Sequence, residues 1–138
     1  MKLLDTNVIN YARDKASPWH GWAKQAIEDA AYEEGAGVNA VVLAELSAWV
    51  KQPEALPAEL QAMGIEILDV PASAALICGK AYRDYLKGRK SQSGQEGPTT
   101  PLPDFFIGAH AAAIGAGIVT NDPGRFKTYF PKVKLMTP

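Results

Sequence analysis

With 138 residues, 47% of them hydrophobic and 21% charged, the chain has the length of one ordinary domain and the apolar content to bury a core, which excludes a disordered or fibrous sequence. Its net charge of −1 argues against an evenly basic nucleic-acid binder, and its single cysteine, Cys78, leaves neither an internal disulfide nor a cysteine-cluster metal site. No window approaches the roughly 20 apolar residues of a membrane span, and Asp5 interrupts the first apolar run too early for a secretion segment, so the expected location is cytoplasmic.

In chain order, Lys2-Leu3-Leu4 reads as a strand that ends in Asp5, and Thr6 to Tyr11 as a short helix. Ser17-Pro18 has the form of a helix start, giving a second helix to about Glu34 that stops at Gly35. Gly37-Val38 is a short buried strand, after which Asn39 can cap a helix over Ala40 to Lys51 that Gln52-Pro53 ends. A smaller helix around Pro57 to Ala62 precedes the strand Ile65 to Leu68, and Pro71 opens a helix through Leu86. Residues 88–101, rich in Gly, Ser, Gln, Thr and Pro, read as a mobile loop. Pro103 starts an Ala-rich helix to about Ala116, followed by the strand Gly117 to Thr120, a turn at Asp122-Pro123-Gly124, a helical segment over Arg125 to Tyr129 and a last strand, Val133 to Leu135. Strands separated by helices imply a mainly parallel sheet with helices on both faces, in one domain over 1–138.

The charge is unevenly spread. Through Asp69 there are eleven acids and five bases; beyond it there are four acids and nine bases. The basic residues fall in two groups, Lys80, Arg83, Lys87, Arg89, Lys90 and then Arg125, Lys127, Lys132, Lys134. A polyanion would meet one side of such a protein, although a solvated helix face and a charged tail give the same pattern.

Four acids stand out by position. Asp5 and Asp122 follow strands, and the carboxyl edge of a parallel sheet is where ligands bind. Each also has a plain structural use, as a helix cap and as a turn residue. Glu45 has Val41, Val42, Ala48 and Trp49 as its helix-surface neighbours, a costly setting for a carboxylate that is neither paired nor bound to a metal. Asp104 opens a helix, where the dipole alone would favour it. One simple fold brings all four to the same sheet edge. No Lys or Arg stands beside them in sequence, so a cation is the expected partner of the converging charges, and oxygen-only ligands select Mg2+ or Mn2+. His20 and His110 read as packing or surface residues.

Leu4-Asp5-Thr6-Asn7-Val8-Ile9, Val42-Leu43-Ala44-Glu45-Leu46, the run from Pro103 to Ala111, and Val119-Thr120-Asn121-Asp122 with Phe126 four residues on resemble the four acidic motifs of PIN-domain nucleases. Within that family the chain is most similar to the VapC-like toxins of bacterial toxin-antitoxin pairs, and the resemblance spans nearly all of it. It implies a three-layer α/β/α sandwich and an endoribonuclease dependent on Mg2+ or Mn2+. It also implies a homodimer blocked by a cognate antitoxin that enters the active-site groove. Carried over by position, Asp5, Glu45, Asp104 and Asp122 are the catalytic and metal-binding acids, supported by the polar groups of Thr6, Asn7 and Thr120. Asn121 departs from the pattern, since relatives often have a basic residue there, which bears on RNA contacts and not on the metal site.

In such a site a carboxylate-held metal activates water and stabilises charge on a phosphate, without a covalent enzyme intermediate. Arg83, Lys87, Arg89 and Lys90 lead toward Asp104 and are expected to guide RNA phosphates to it. A haloacid-dehalogenase-like phosphatase also begins with an Asp after its first strand but needs a second acid two residues on, where this chain has Asn7. A catalytically inactive RNA- or protein-binding scaffold is the other alternative, weakened because all four acids are present.

Overall fold

The computed structural model describes residues 1–93 and 102–138, with side chains for 1–89 and 102–138. Its strands are β1 (Lys2–Leu4), β2 (Ala36–Asn39), β3 (Ile65–Leu68), β4 (Gly117–Val119) and β5 (Leu135–Met136). Its helices are α1 (Thr6–Arg13), α2 (His20–Glu33), α3 (Ala40–Ser47), α4 (Leu56–Ala62), α5 (Ala72–Ser93), α6 (Pro103–Ile114) and α7 (Gly124–Tyr129), with a 3-10 turn at Pro53–Ala55 before α4.

The sheet runs β3-β2-β1-β4-β5 and every neighbouring pair is parallel, giving the expected α/β/α arrangement. Parallel strands are covered on both faces, so they read as continuous apolar runs instead of alternating ones. Leu3 and Leu4 of β1, Ala36 and Val38 of β2, and Ile118 and Val119 of β4 are all buried. β1 is central. From it the chain goes to β2 on one side and returns later to β4 on the other, which creates a switch point between β1 and β4 with a crevice at their carboxyl ends.

Four element boundaries differ from the sequence expectation. Ser17 does not cap α2: its Oγ accepts from Trp19 N at 3.1 Å and its carbonyl from His20 N at 3.1 Å, a turn that delays the helix to His20. α3 stops at Ser47 instead of Lys51, closed by the tighter Trp49 N to Leu46 O bond at 3.2 Å. The last strand is Leu135–Met136, where Leu135 and Met136 find register with Ile118 and Val119. Most consequentially, α5 runs through Ser93, six residues into the stretch expected to be loop. A single Gly88 does not end a helix flanked by Lys87, Arg89 and Lys90, all good helix formers, and Arg89 Nη1 donates to Tyr85 Oη one turn back at 3.2 Å. Residues 94–101 of that stretch lie outside the described residues.

α6 lies against α5, α7 and β1 and terminates at Gly115, whose φ of 68° is a left-handed conformation that costs glycine nothing. Its Gly108 faces the ring of Phe130 so closely that a Cβ there would collide with ring carbons. Phe130 belongs to a cluster with Phe105, Tyr82, Tyr85 and Tyr129 that locks α5, α6 and α7 together.

An alanine normally stabilises a helix interior relative to glycine by about 1 kcal/mol. At Gly108 the sign should reverse: Gly108→Ala must displace Phe130, at a typical overpacking cost of about 1–3 kcal/mol. Gly79→Ala, on the open face of α5 with nothing within 4 Å of the added carbon, should stabilise. Thermal melts of the two variants should move in opposite directions.

Candidate active site

Asp5 sits where β1 ends and α1 begins, 6% exposed and in extended conformation. Its two oxygens have different tasks. Oδ1 accepts from Thr6 N at 2.8 Å and so caps α1, while Oδ2 accepts from Thr120 Oγ1 at 2.8 Å across the switch point. The cap and the site are therefore one residue, and the two readings of Asp5 do not exclude each other. Thr120, fully buried just beyond β4, also accepts from Asp122 N at 2.9 Å through the same hydroxyl. On the other side Thr6 Oγ1 donates to Glu45 Oε1 at 2.8 Å. A continuous chain of hydrogen bonds thus runs Glu45–Thr6–Asp5–Thr120–Asp122.

Glu45 reaches this place because Asn39, at the end of β2, caps α3 by accepting from Val42 N at 3.0 Å. Asn39 Nδ2 also lies 3.4 Å from His110 Nδ1 on α6, so this buried pair spans the helix that bears Glu45 and the helix that bears Asp104. Burial holds the His110 imidazole below its ordinary pKa, and the neutral ring accepts from the amide. His110 is thus a packing residue, as expected, with one polar task. His20, half-buried, places Nδ1 3.0 Å from Tyr11 O, away from the acids.

Asp104 corrects one expectation. A cationic side chain does neutralise an acid of the group: Arg125, in the first turn of α7, donates from Nη1 to Asp104 Oδ2 at 2.9 Å. Its guanidinium carbon lies 5.5 Å from the centre of the Tyr85 ring and 5.8 Å from that of Phe105, positions that favour a cation over an aromatic face. Arg125 is three residues past Asp122, but the partner it chooses is 21 positions upstream, which spacing along the chain does not reveal.

The electrostatics follow from this arrangement. Burial pushes the Asp5 carboxyl up from 3.8 to about 6, the charges of Asp104 and Glu45 add to the rise, and the bonds from Thr120 and Thr6 oppose it. Asp104 is likewise raised, first by burial and then by Asp122, against the pull of Arg125. Asp122 itself is exposed. Among the described residues no three or more His, Cys, Asp or Glu side chains come together as a group that could hold a metal ion. The donor chemistry nevertheless fits a hard divalent cation, since the side chains are oxygen donors whose mutual repulsion a cation would relieve.

The remaining expected residues are divided. Asn7 does not support the acids by a hydrogen bond of Oδ1, which is buried without a partner among the described residues. Asn121 donates to Tyr11 Oη at 3.2 Å, tying the β4 end to α1. Arg83 and Lys87 are exposed on α5, and Arg89 stands by Tyr85, whose ring supports Arg125. The side chain of Lys90 lies outside the described residues.

A family model described as PIN domain matches residues 2–130. No curated protein matches the sequence. Among solved structures, VapBC2 of Rickettsia felis, bound to a DNA fragment from its promoter, is 25% identical with a TM-score of 0.67, covering 99% of this chain and 97% of that one. FitAcB of Neisseria gonorrhoeae is 25% identical with a TM-score of 0.66 over 100% of this chain and 98% of its own. A toxin-antitoxin complex from Klebsiella pneumoniae shares the fold at 21% identity, with a TM-score of 0.66 and coverage of 100% and 98%.

The raised Asp5 carboxyl gives a stability test. The folded protein holds this proton to higher pH than the unfolded chain does, so folding is favoured by acidity between 3.8 and about 6, and above that window the full cost, about 3 kcal/mol, is present. Without divalent ion, Asp5→Asn should melt at or above the wild type at pH 7, and the difference should close as the pH falls toward 4. A variant several degrees less stable at pH 7 would show that the charged cap stabilises the fold.

Proposed function

The chain belongs to the PIN domain family, and on that premise we propose that it is an endoribonuclease dependent on Mg2+ or Mn2+ and the toxin of a toxin-antitoxin pair. The observation that carries this reading is the hydrogen-bonded chain Glu45–Thr6–Asp5–Thr120–Asp122 at the switch point, with Asp104 close enough to raise the Asp5 carboxyl. An Asp5 carboxyl whose pKa is raised by burial and by the neighbouring charges of Asp104 and Glu45 costs stability and is explained by a task.

Asp5, Glu45, Asp104 and Asp122 would hold the cation, which when bound lowers the pKa of a water and stabilises charge developing on a phosphate. The chain's own groups do the positioning. Thr120 and Thr6 fix the orientation of Asp5 and Glu45, so those oxygens need not reorganise when substrate arrives. Arg125 keeps Asp104 paired and, held over Tyr85 and Phe105, offers its other N–H groups to non-bridging phosphate oxygens. Arg83, Lys87, Arg89 and Lys90, carried on α5, would take up phosphates of the flanking RNA. An aspartyl-phosphate mechanism lacks its second acid, because Asn7 is an amide whose Oδ1 is buried.

The partners of this reading are RNA, a cognate antitoxin and a second copy of the chain. Exposed Leu76 and Ile77 on α5 are apolar surface that association would cover. Among the described residues no helix is long and apolar enough to cross a membrane, and a toxin of this kind would act in the cytoplasm.

RNA hydrolysis should require Mg2+ or Mn2+, and Asp5→Asn, Glu45→Gln, Asp104→Asn and Asp122→Asn should each lower the rate by about 100-fold or more. Hydrolysis in chelator, or a fully active Asp104→Asn protein, would overturn the mechanism. Charge reversal at Arg83 and Lys87 should weaken RNA binding and flatten its salt dependence by about 0.7 for each phosphate no longer neutralised; an unchanged slope leaves them as ordinary surface charges.

A further inference from the structure

We propose that a pocket beside Glu45, between α1 and α3, is a nucleobase subsite in which Trp49 stacks on the base next to the phosphodiester held by the acids. The proposal rests on the ribonuclease reading. On α1, Thr6, Asn10 and Arg13 recur at i, i+4 and i+7 and line one stripe; on α3 and its last turn, Glu45 and Trp49 recur at i and i+4. The two stripes wall a cavity of about 260 Å3. They meet at the Thr6 Oγ1 to Glu45 Oε1 bond of 2.8 Å, so the cavity opens directly from one of the four acids.

Trp49 is 91% exposed, a large apolar area to leave in water. Its backbone is not loose, because its N–H donates to Leu46 O at 3.2 Å and closes the helix end. The indole therefore projects from a fixed backbone position with its faces open to solvent. Its surroundings distinguish a base from a protein partner. A protein hot spot sits within a larger apolar patch, whereas here Asn10, Arg13, Thr6 and Glu45 share the cavity with only buried Leu46 and half-buried Val50, and the other strongly exposed apolar side chains, Tyr32 and Leu76, lie on α2 and α5. One open aromatic face among polar groups is how single-stranded RNA is read: the face takes the base, and amide and guanidinium groups take its edge and the backbone. Asn10 supplies both a donor and an acceptor. Arg13 is held at the rim by Glu59, Nε to Oε1 at 2.7 Å and Nη2 to Oε2 at 3.4 Å, in a partly exposed and therefore weak ion pair.

The test uses 12-nucleotide single-stranded RNAs of uniform A, U or C, bound to protein carrying Asp104→Asn so that no cleavage intervenes. Binding should quench tryptophan fluorescence, and the part of that quench absent from Trp49→Phe reports Trp49, since Trp19 and Trp22 remain. Trp49→Ala should weaken binding by about tenfold and Trp49→Phe by less, because a phenyl ring still stacks. The exposure of the side chain means that both variants should fold as the parent does, which circular dichroism checks. Trp49→Ala binding all three RNAs as the parent does would overturn the subsite. The same result with a loss of self-association in light scattering would assign Trp49 to a protein interface and overturn it equally. Cleavage by the otherwise unaltered chain gauges the ribonuclease reading separately: intact cleavage with an indifferent Trp49→Ala removes the subsite alone, and a chain that neither binds nor cleaves RNA removes both.

Discussion

The carboxylate of Asp5 is the constraint on which the site is built. It is nearly buried, yet one oxygen caps α1 through Thr6 N and the other receives the Thr120 hydroxyl from the adjoining strand. The bond from Thr120 requires that β1 and β4 be neighbours, which the parallel pairing Leu3↔Ile118 and Leu4↔Val119 guarantees. A buried charge is tolerated only with such partners. Burial still wins, as the raised Asp5 carboxyl shows.

Around this anchor the remaining acids are handled by different means. Glu45 takes a hydroxyl, Asp122 stays at the surface, and Asp104 takes Arg125. The Arg125–Asp104 pair is partly exposed, so it contributes little to stability. Its value is positional: the aromatic cluster of α5, α6 and α7 fixes where the guanidinium lies. In the same way the buried Asn39–His110 pair connects α3 with α6, so that two helices carrying acids are set against each other by a polar contact inside an apolar core. The fold thus serves as a frame that brings like charges together at a cost and holds them there.

Much of this was legible in the order of residues. Apolar runs broken by helices point to a parallel sheet, and the acids that follow β1 and β4 lie at its carboxyl edge because a strand's direction fixes where its last residue points. Local chemistry also predicts the Asn39 cap, since it depends only on bonds within a few residues. Where that local reading failed, a nearby competitor was stronger. Ser17 served a turn, and α5 ran through Gly88 because its neighbours favour helix and one glycine costs too little to end it.

What the chain alone determined is the set of acids and the edge on which they fall. Tertiary structure decided the rest: that Thr120 holds Asp5 across 115 positions, that Arg125 answers Asp104 and not its neighbour Asp122, and that Trp49 stands open beside Glu45. Periodicity reports which face of an element a residue occupies. It does not report which two faces meet, because the bonds that close the site join residues brought together only when the sheet has formed and the helices have packed on it.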